Sequence, residues 1–166
     1  MAVTPEQMIL DAANANVRLE FVRGVPRWEA SPVAGHQLEI FRIQNSIKPT
    51  DDSRACACTH LSDTLFKFGE GSLKRPDIAI LCQELKPEQL YSALEIVPEA
   101  VVEVISEGYE YKDLEVAPSF YLGLGVKDVL ILEPRTKIVY HHRKDFKTRL
   151  ESPVKLNLEC GCEIEV

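Results

Sequence analysis

The spacing of apolar residues along this chain changes several times, and each change marks an element. Thr4-Pro5-Glu6 sets a capping residue before proline at the first helical position, which predicts a helix to about Ala13. The period then shortens to two. Residues 17–22 and 25–28 alternate on either side of Arg23-Gly24, the pattern of a β-hairpin closed by a two-residue turn. After Ser31-Pro32 a helical period returns: Leu38, Phe41 and Ile47 form the stripe, Ile40 and Ile43 widen it, and the helix should end before Pro49.

Strand-like runs follow at 54–61 and 64–68, then a turn at Gly69-Glu70-Gly71 and an apolar run at 75–81. Pro87 to Ala93 reads as a short helix or turn, and Pro98 precedes a second apolar run at 100–106. A loop-and-helix segment from about Lys112 to Leu124 ends at Gly125. Asp128 to Leu132 is a strand, and Ile138 to His142 pairs with it across Glu133-Pro134-Arg135-Thr136. This order predicts an α/β fold with a central mixed sheet flanked by helices, preceded by an N-terminal helix and hairpin.

Composition narrows the class. At 166 residues and 45% hydrophobic, the chain suits a single domain spanning 1–166, and it has no apolar run of membrane-spanning length. The N-terminus lacks a basic segment followed by an apolar one, so the cytoplasm is the expected compartment. The formal net charge of -7 argues against a protein that coats nucleic acid by bulk electrostatics. It leaves local basic patches open.

Two acids stand out because they interrupt apolar runs: Asp77 in Arg-Pro-Asp-Ile-Ala-Ile-Leu, and Glu103 in Ala-Val-Val-Glu-Val-Ile-Ser. An ionised carboxylate in a buried strand is costly unless a cation or hydrogen bonds compensate it. Side chains alternate along a strand, so Glu103 shares its face with Val101 and Ile105, alone among hydrocarbons. Either acid taken singly is explained by an arginine or lysine partner or by hydrogen bonds from loop amides. Two on neighbouring strands point to a bound cation, and hard oxygen ligands suit magnesium or manganese.

The cysteines offer a second candidate. They fall as Cys56-Ala57-Cys58, a lone Cys82 and Cys160-Gly161-Cys162, with His60 beyond the first pair. Structural zinc usually takes pairs separated by two to four residues, whereas these are separated by one, so reduced cysteines acting as small hydrophobes are the plainer reading. His141-His142, at a strand end, reads as surface rather than ligand.

Arg-Pro-Asp-Ile-Ala-Ile, Val-Pro-Glu-Ala-Val-Val-Glu-Val-Ile-Ser and Tyr-Leu-Gly-Leu-Gly-Val-Lys-Asp-Val-Leu-Ile-Leu-Glu-Pro, in that order, resemble the Uma-two family of restriction-endonuclease-like proteins, in the PD-(D/E)XK nuclease superfamily. Arg-Leu-Glu-Phe-Val-Arg-Gly-Val-Pro (18–26) and Ser-Pro followed by His36 resemble the same family's N-terminal signature. The resemblance covers residues 5 to 142. It implies a restriction-endonuclease-like core, a DNA substrate, and Asp77 and Glu103 as ligands for Mg²⁺ or Mn²⁺ in phosphodiester hydrolysis. Glu20 and His36 would be further candidates for a third ligand or a base, each with a plainer role as a hairpin surface acid or a helix-start hydrogen bond.

The chain departs from that pattern at the lysine. The superfamily places one two residues after the second acid, where this chain has Ile105; the Uma-two pattern moves it to the following helix, where this chain has Ala117. Lys112 is the nearby replacement, as a flexible point charge or as a solvated helix-start residue. Pro118 either breaks that helix or marks its first turn. Three functions therefore stand: a magnesium-dependent DNA endonuclease, an inactive nuclease-fold module that binds nucleic acid or assembles, and a zinc-stabilised interaction protein. Cutting two antiparallel strands calls for two active sites, so a homodimer is expected.

Overall fold

The structure, a computed structural model, describes residues 2–51 and 56–166. Its first half contains α1 (Pro5–Asn14), β1 (Arg18–Val22), β2 (Val25–Glu29), α2 (Ala34–Ser46), β3 (Lys48–Pro49), β4 (Thr59–Leu61), β5 (Phe66–Phe68), β6 (Ser72–Lys74) and β7 (Ile78–Leu81). Its second half contains β8 (Ala100–Val104), α3 (Ala117–Gly123), β9 (Asp128–Glu133), β10 (Ile138–Arg143), β11 (Phe146–Glu151), β12 (Lys155–Asn157) and β13 (Cys162–Glu165). Of the predicted strand at 54–61, residues 54 and 55 lie outside the described residues, and the rest forms a strand only from Thr59.

Local chemistry accounts for the N-terminal elements. The Thr4 hydroxyl accepts from the Gln7 amide at 3.2 Å, capping α1. Arg23 (φ 50°) and Gly24 (φ 75°) both adopt the left-handed conformation that a two-residue hairpin turn needs, and Val22 pairs with Val25.

A six-stranded mixed sheet, in the order β11-β10-β9-β8-β7-β4, forms the centre. β8 and β9 run parallel, so the chain must cross over between them, and the segment carrying α3 makes that crossover. β7 and β8 are antiparallel, with Ile78 opposite Val102. The alternation along these strands separates two apolar layers. Ile78, Ile80, Val102, Val104, Leu130 and Leu132 pack under α2 and β13, while Ala79, Leu81, Val101, Val129 and Ile131 pack against Tyr121 of α3 and Phe66 of β5. Each fully buried branched or aromatic side chain contributes roughly 1.5–3 kcal/mol. A four-stranded sheet, β2-β1-β6-β5, and a three-stranded sheet, β12-β13-β3, flank this centre.

Several expectations change. α2 turns His36, Ile40 and Ile43 inward, so Leu38 and Phe41, expected to lead the buried stripe, face outward at 66% and 65% exposure. Spacing of i, i+4, i+7 with a histidine outcompetes the more apolar stripe because the histidine has a partner below it. Pro118 falls in the first turn of α3; it has no N–H for the preceding carbonyls, and residues Lys112–Val116 widen into a π-helical turn. His141 is buried rather than superficial, its Nε2 2.6 Å from Asp128 Oδ1. The cysteines are not all reduced: Cys56 is bonded to Cys82 and Cys58 to Cys162, leaving Cys160 free. β6 and the strands after residue 143 go beyond the sequence reading.

Candidate active site

Asp77 occupies the bend immediately before β7, and Glu103 sits in the middle of β8. The antiparallel pairing of these strands brings the acids together: the Asp77 amide donates to Glu103 Oε2 at 3.3 Å, and the Val104 amide donates to Asp77 Oδ2 at 2.8 Å. Glu103 is not alone among hydrocarbons, because the Tyr121 hydroxyl, reaching across from α3, donates to its Oε1 at 2.7 Å. Burial first, and the neighbouring Asp77 charge second, push the Glu103 carboxyl up to about 8.

His36 lies under this pair at the start of α2. Its Nε2 is 2.9 Å from the Val104 carbonyl and 3.2 Å from Asp77 Oδ2. Both partners accept, so Nε2 carries the proton and the ring steadies Asp77. Burial lowers the affinity of this ring for a second proton, but the bond and charge of Asp77 outweigh it and the pKa rises.

Glu20 of β1 is a buried acid, not a hairpin surface residue. Lys74 Nζ bonds its Oε2 at 2.5 Å and the Arg75 amide donates to its Oε1 at 2.6 Å. Burial opposes its ionisation, yet the Lys74 and Lys112 charges prevail and its pKa falls. Lys74 is itself buried; burial works against its charge, and Glu20 and Glu103 restore it. Lys112 enters from the π-helical turn, bonded to Glu29 Oε2 and 3.3 Å from Asp113 Oδ1. It is half-buried rather than solvated, and Asp113, Glu103 and Glu29 raise its pKa against the effect of burial.

These groups line one narrow cleft with Arg18, Arg75, Ser106 and Tyr109, whose free volume of about 30 Å³ has room for about two waters. Asp77, Glu103, Glu20, His36 and Lys112 all border it. Among the described residues, no three carboxylate or histidine ligand atoms gather within 4.8 Å of one another here. The donor set is two hard carboxylates with space for water, which fits a magnesium-class ion better than a closed all-protein cage. Ile105 and Ala117, the slots where a lysine was sought, are buried in the apolar layer around Tyr121.

Sequence reasoning missed Lys74, Tyr121, Glu29 and Asp113. The only signal for Lys74 was its place three residues before Asp77, and its value depends on a partner 54 positions away. Tyr121 stood within the quoted family motif without a role attached to it.

The fold is a nuclease-like α/β fold. A structure described as a "putative nuclease belonging to DUF820", from Anabaena variabilis, matches with a TM-score of 0.63 over 84% of this chain and 80% of that one, at 14% identity. No curated protein sequence matches the chain. The Uma2 family model, described as "Putative restriction endonuclease", matches residues 5–159, and the chain belongs to that family.

Proposed function

We propose that this protein is a metal-dependent DNA endonuclease, with Asp77 and Glu103 as ligands for Mg²⁺ or Mn²⁺. The observation that carries the reading is the meeting of these two carboxylates beside two lysine ammonium groups in one cleft. A bound dication supplies charge to the scissile phosphate and acidifies a water. Lys112 steadies negative charge developing on the phosphate, and Lys74, whose charge reaches Glu103, keeps that acid ready to ionise. His36 and the Val104 amide hold Asp77 in place. Exposed Arg27, on the same face of β2 as Glu29 and near Lys74 and Lys112, presents a cation beside the cleft, suited to the DNA backbone.

Supercoiled plasmid incubated with the full chain and Mg²⁺ or Mn²⁺ should be nicked, and Asp77→Ala and Glu103→Ala should abolish nicking. Activity that persists in both folded variants overturns the assignment. Leu38 and Phe41, exposed on the outer face of α2, support a homodimer through that helix. Light scattering should give twice the chain mass, and Leu38→Glu with Phe41→Glu should halve it.

One observation favours a second reading, an inactive nucleic-acid-binding module. Both lysines are already tied to acids, Lys74 to Glu20 and Lys112 to Glu29. DNA binding without cleavage in either metal supports that reading over the first.

A further inference from the structure

All five cysteines meet on the far side of the sheet from Glu103, although they come from three distant stretches: Cys56 and Cys58 from the segment before β4, Cys82 from just after β7, and Cys160 and Cys162 from the β12–β13 turn and the first position of β13. Cys56 is the shared member of two triads, Cys56-Cys82-Cys160 and Cys56-Cys58-Cys162. Within each triad all sulfurs lie within 4.8 Å of one another. The two disulfides are themselves in contact, with Cys56 Sγ 3.6 Å from Cys162 Sγ. Four thiolates around zinc, with Zn–S near 2.3 Å, stand about 3.8 Å apart, close to the 3.6 Å between Cys56 and Cys162, and Cys56 Sγ lies within 4.8 Å of the sulfurs of Cys58, Cys82 and Cys162.

The surroundings also suit a thiolate centre. The Cys58 amide donates to Cys56 Sγ at 3.4 Å, a bond that steadies a metal-bound sulfur. Cys58 (φ 54°) and Gly161 (φ 89°) turn the chain sharply within each Cys-x-Cys pair, which lets residues only two apart direct both sulfurs inward. This answers the spacing objection raised by the sequence, because the pairs need not act as Cys-x-x-Cys knuckles. No lysine or arginine bond to these sulfurs offsets a set of thiolates among the described residues, so a dication is the natural partner for them.

We propose that the reduced protein holds one zinc ion through Cys56, Cys58, Cys82 and Cys162, with Cys160 beside the centre as a free thiol. Conversion from the disulfide form takes two electrons and two protons per disulfide, supplied by a dithiol reductant. Zinc then replaces the four thiol protons, which leave to solvent. The ion ties the β12–β13 hairpin to the β4–β7 side of the central sheet.

The full chain, purified with a dithiol reductant and zinc and then desalted, should contain one zinc per chain by elemental analysis. Cobalt substitution should give the intense visible bands of a tetrahedral thiolate site. Cys56→Ser should lose the metal and Cys160→Ser should keep it. Should Cys56→Ser fail to fold, alkylation of the wild-type protein decides: one thiol should react in the zinc form and five after chelation and denaturation. Asp77→Ala with Glu103→Ala should retain zinc, which separates this centre from the cleft. Reduced, folded protein without zinc, or with all five thiols alkylated equally in its presence, overturns the proposal.

Discussion

Replacing Glu103 with glutamine should flatten the pH dependence of stability in metal-free protein. The carboxyl is buried against Asp77 and is held near 8 against an ordinary value of 4.5. Between those values the folded chain binds a proton that the unfolded chain has lost, so wild-type stability is full below about pH 4.5 and falls as pH rises toward 8. At about 1.4 kcal/mol per pH unit the loss is roughly 3 to 5 kcal/mol, a large part of the stability of an ordinary domain. Glutamine keeps the oxygen that accepts from Tyr121 and carries no charge, so Glu103→Gln should be the more stable protein at pH 8 and close to wild type at pH 5. Urea denaturation at half-unit steps of pH, in a chelator, measures the difference; His36 titrates in both proteins and cancels. Parallel curves for the two proteins would refute the burial argument.

Magnesium bound at Glu103 as proposed would have to displace that proton, so its affinity should rise close to tenfold per pH unit from 6 to 8 and then level, as read by calorimetry; constant affinity would mean that Glu103 is not a ligand. Tyr121→Phe leaves Glu103 Oε1 without its hydroxyl donor and should cost about 1–3 kcal/mol in urea at neutral pH, with nicking shifted to higher pH. Lys74→Met strands the buried Glu20 carboxylate and should cost about 3–5 kcal/mol by the same measurement, and the double change with Glu20→Gln should recover part of it. An additive double variant would show that the pair is not coupled.

The elements that local chemistry determines were legible. The Thr4 cap, the Arg23-Gly24 turn, the β7, β8 and β9 runs and the Gly125 stop all have their signal within a few residues. What failed depends on partners elsewhere. Leu38 and Phe41 are apolar at helical spacing, but burial of α2 follows the face whose His36 finds the Val104 carbonyl and Asp77. β6, only Ser-Leu-Lys, shows no alternation to read, because all three residues are buried and its lysine is satisfied by Glu20. The acid pair was visible as carboxylates inside hydrocarbon; the lysine was sought by its slot in the sequence, whereas a point charge can reach the same place from another element.

The charges of the cleft divide into closed pairs and an open remainder. Glu20 has Lys74 and an amide, Glu29 has Lys112, and Asp113 has Lys112. Asp77 has His36 and an amide. Glu103 alone among these acids is bonded only by neutral donors, the Tyr121 hydroxyl and the Asp77 amide, and it is the acid pushed furthest up. A fold seeking only stability would have put glutamine there, since it fills the same space without the proton-linked cost. Retaining a carboxylate at the one position among these with no cation bonded to it is sensible if a cation arrives from solution, and Asp77 alongside provides the second oxygen to receive it.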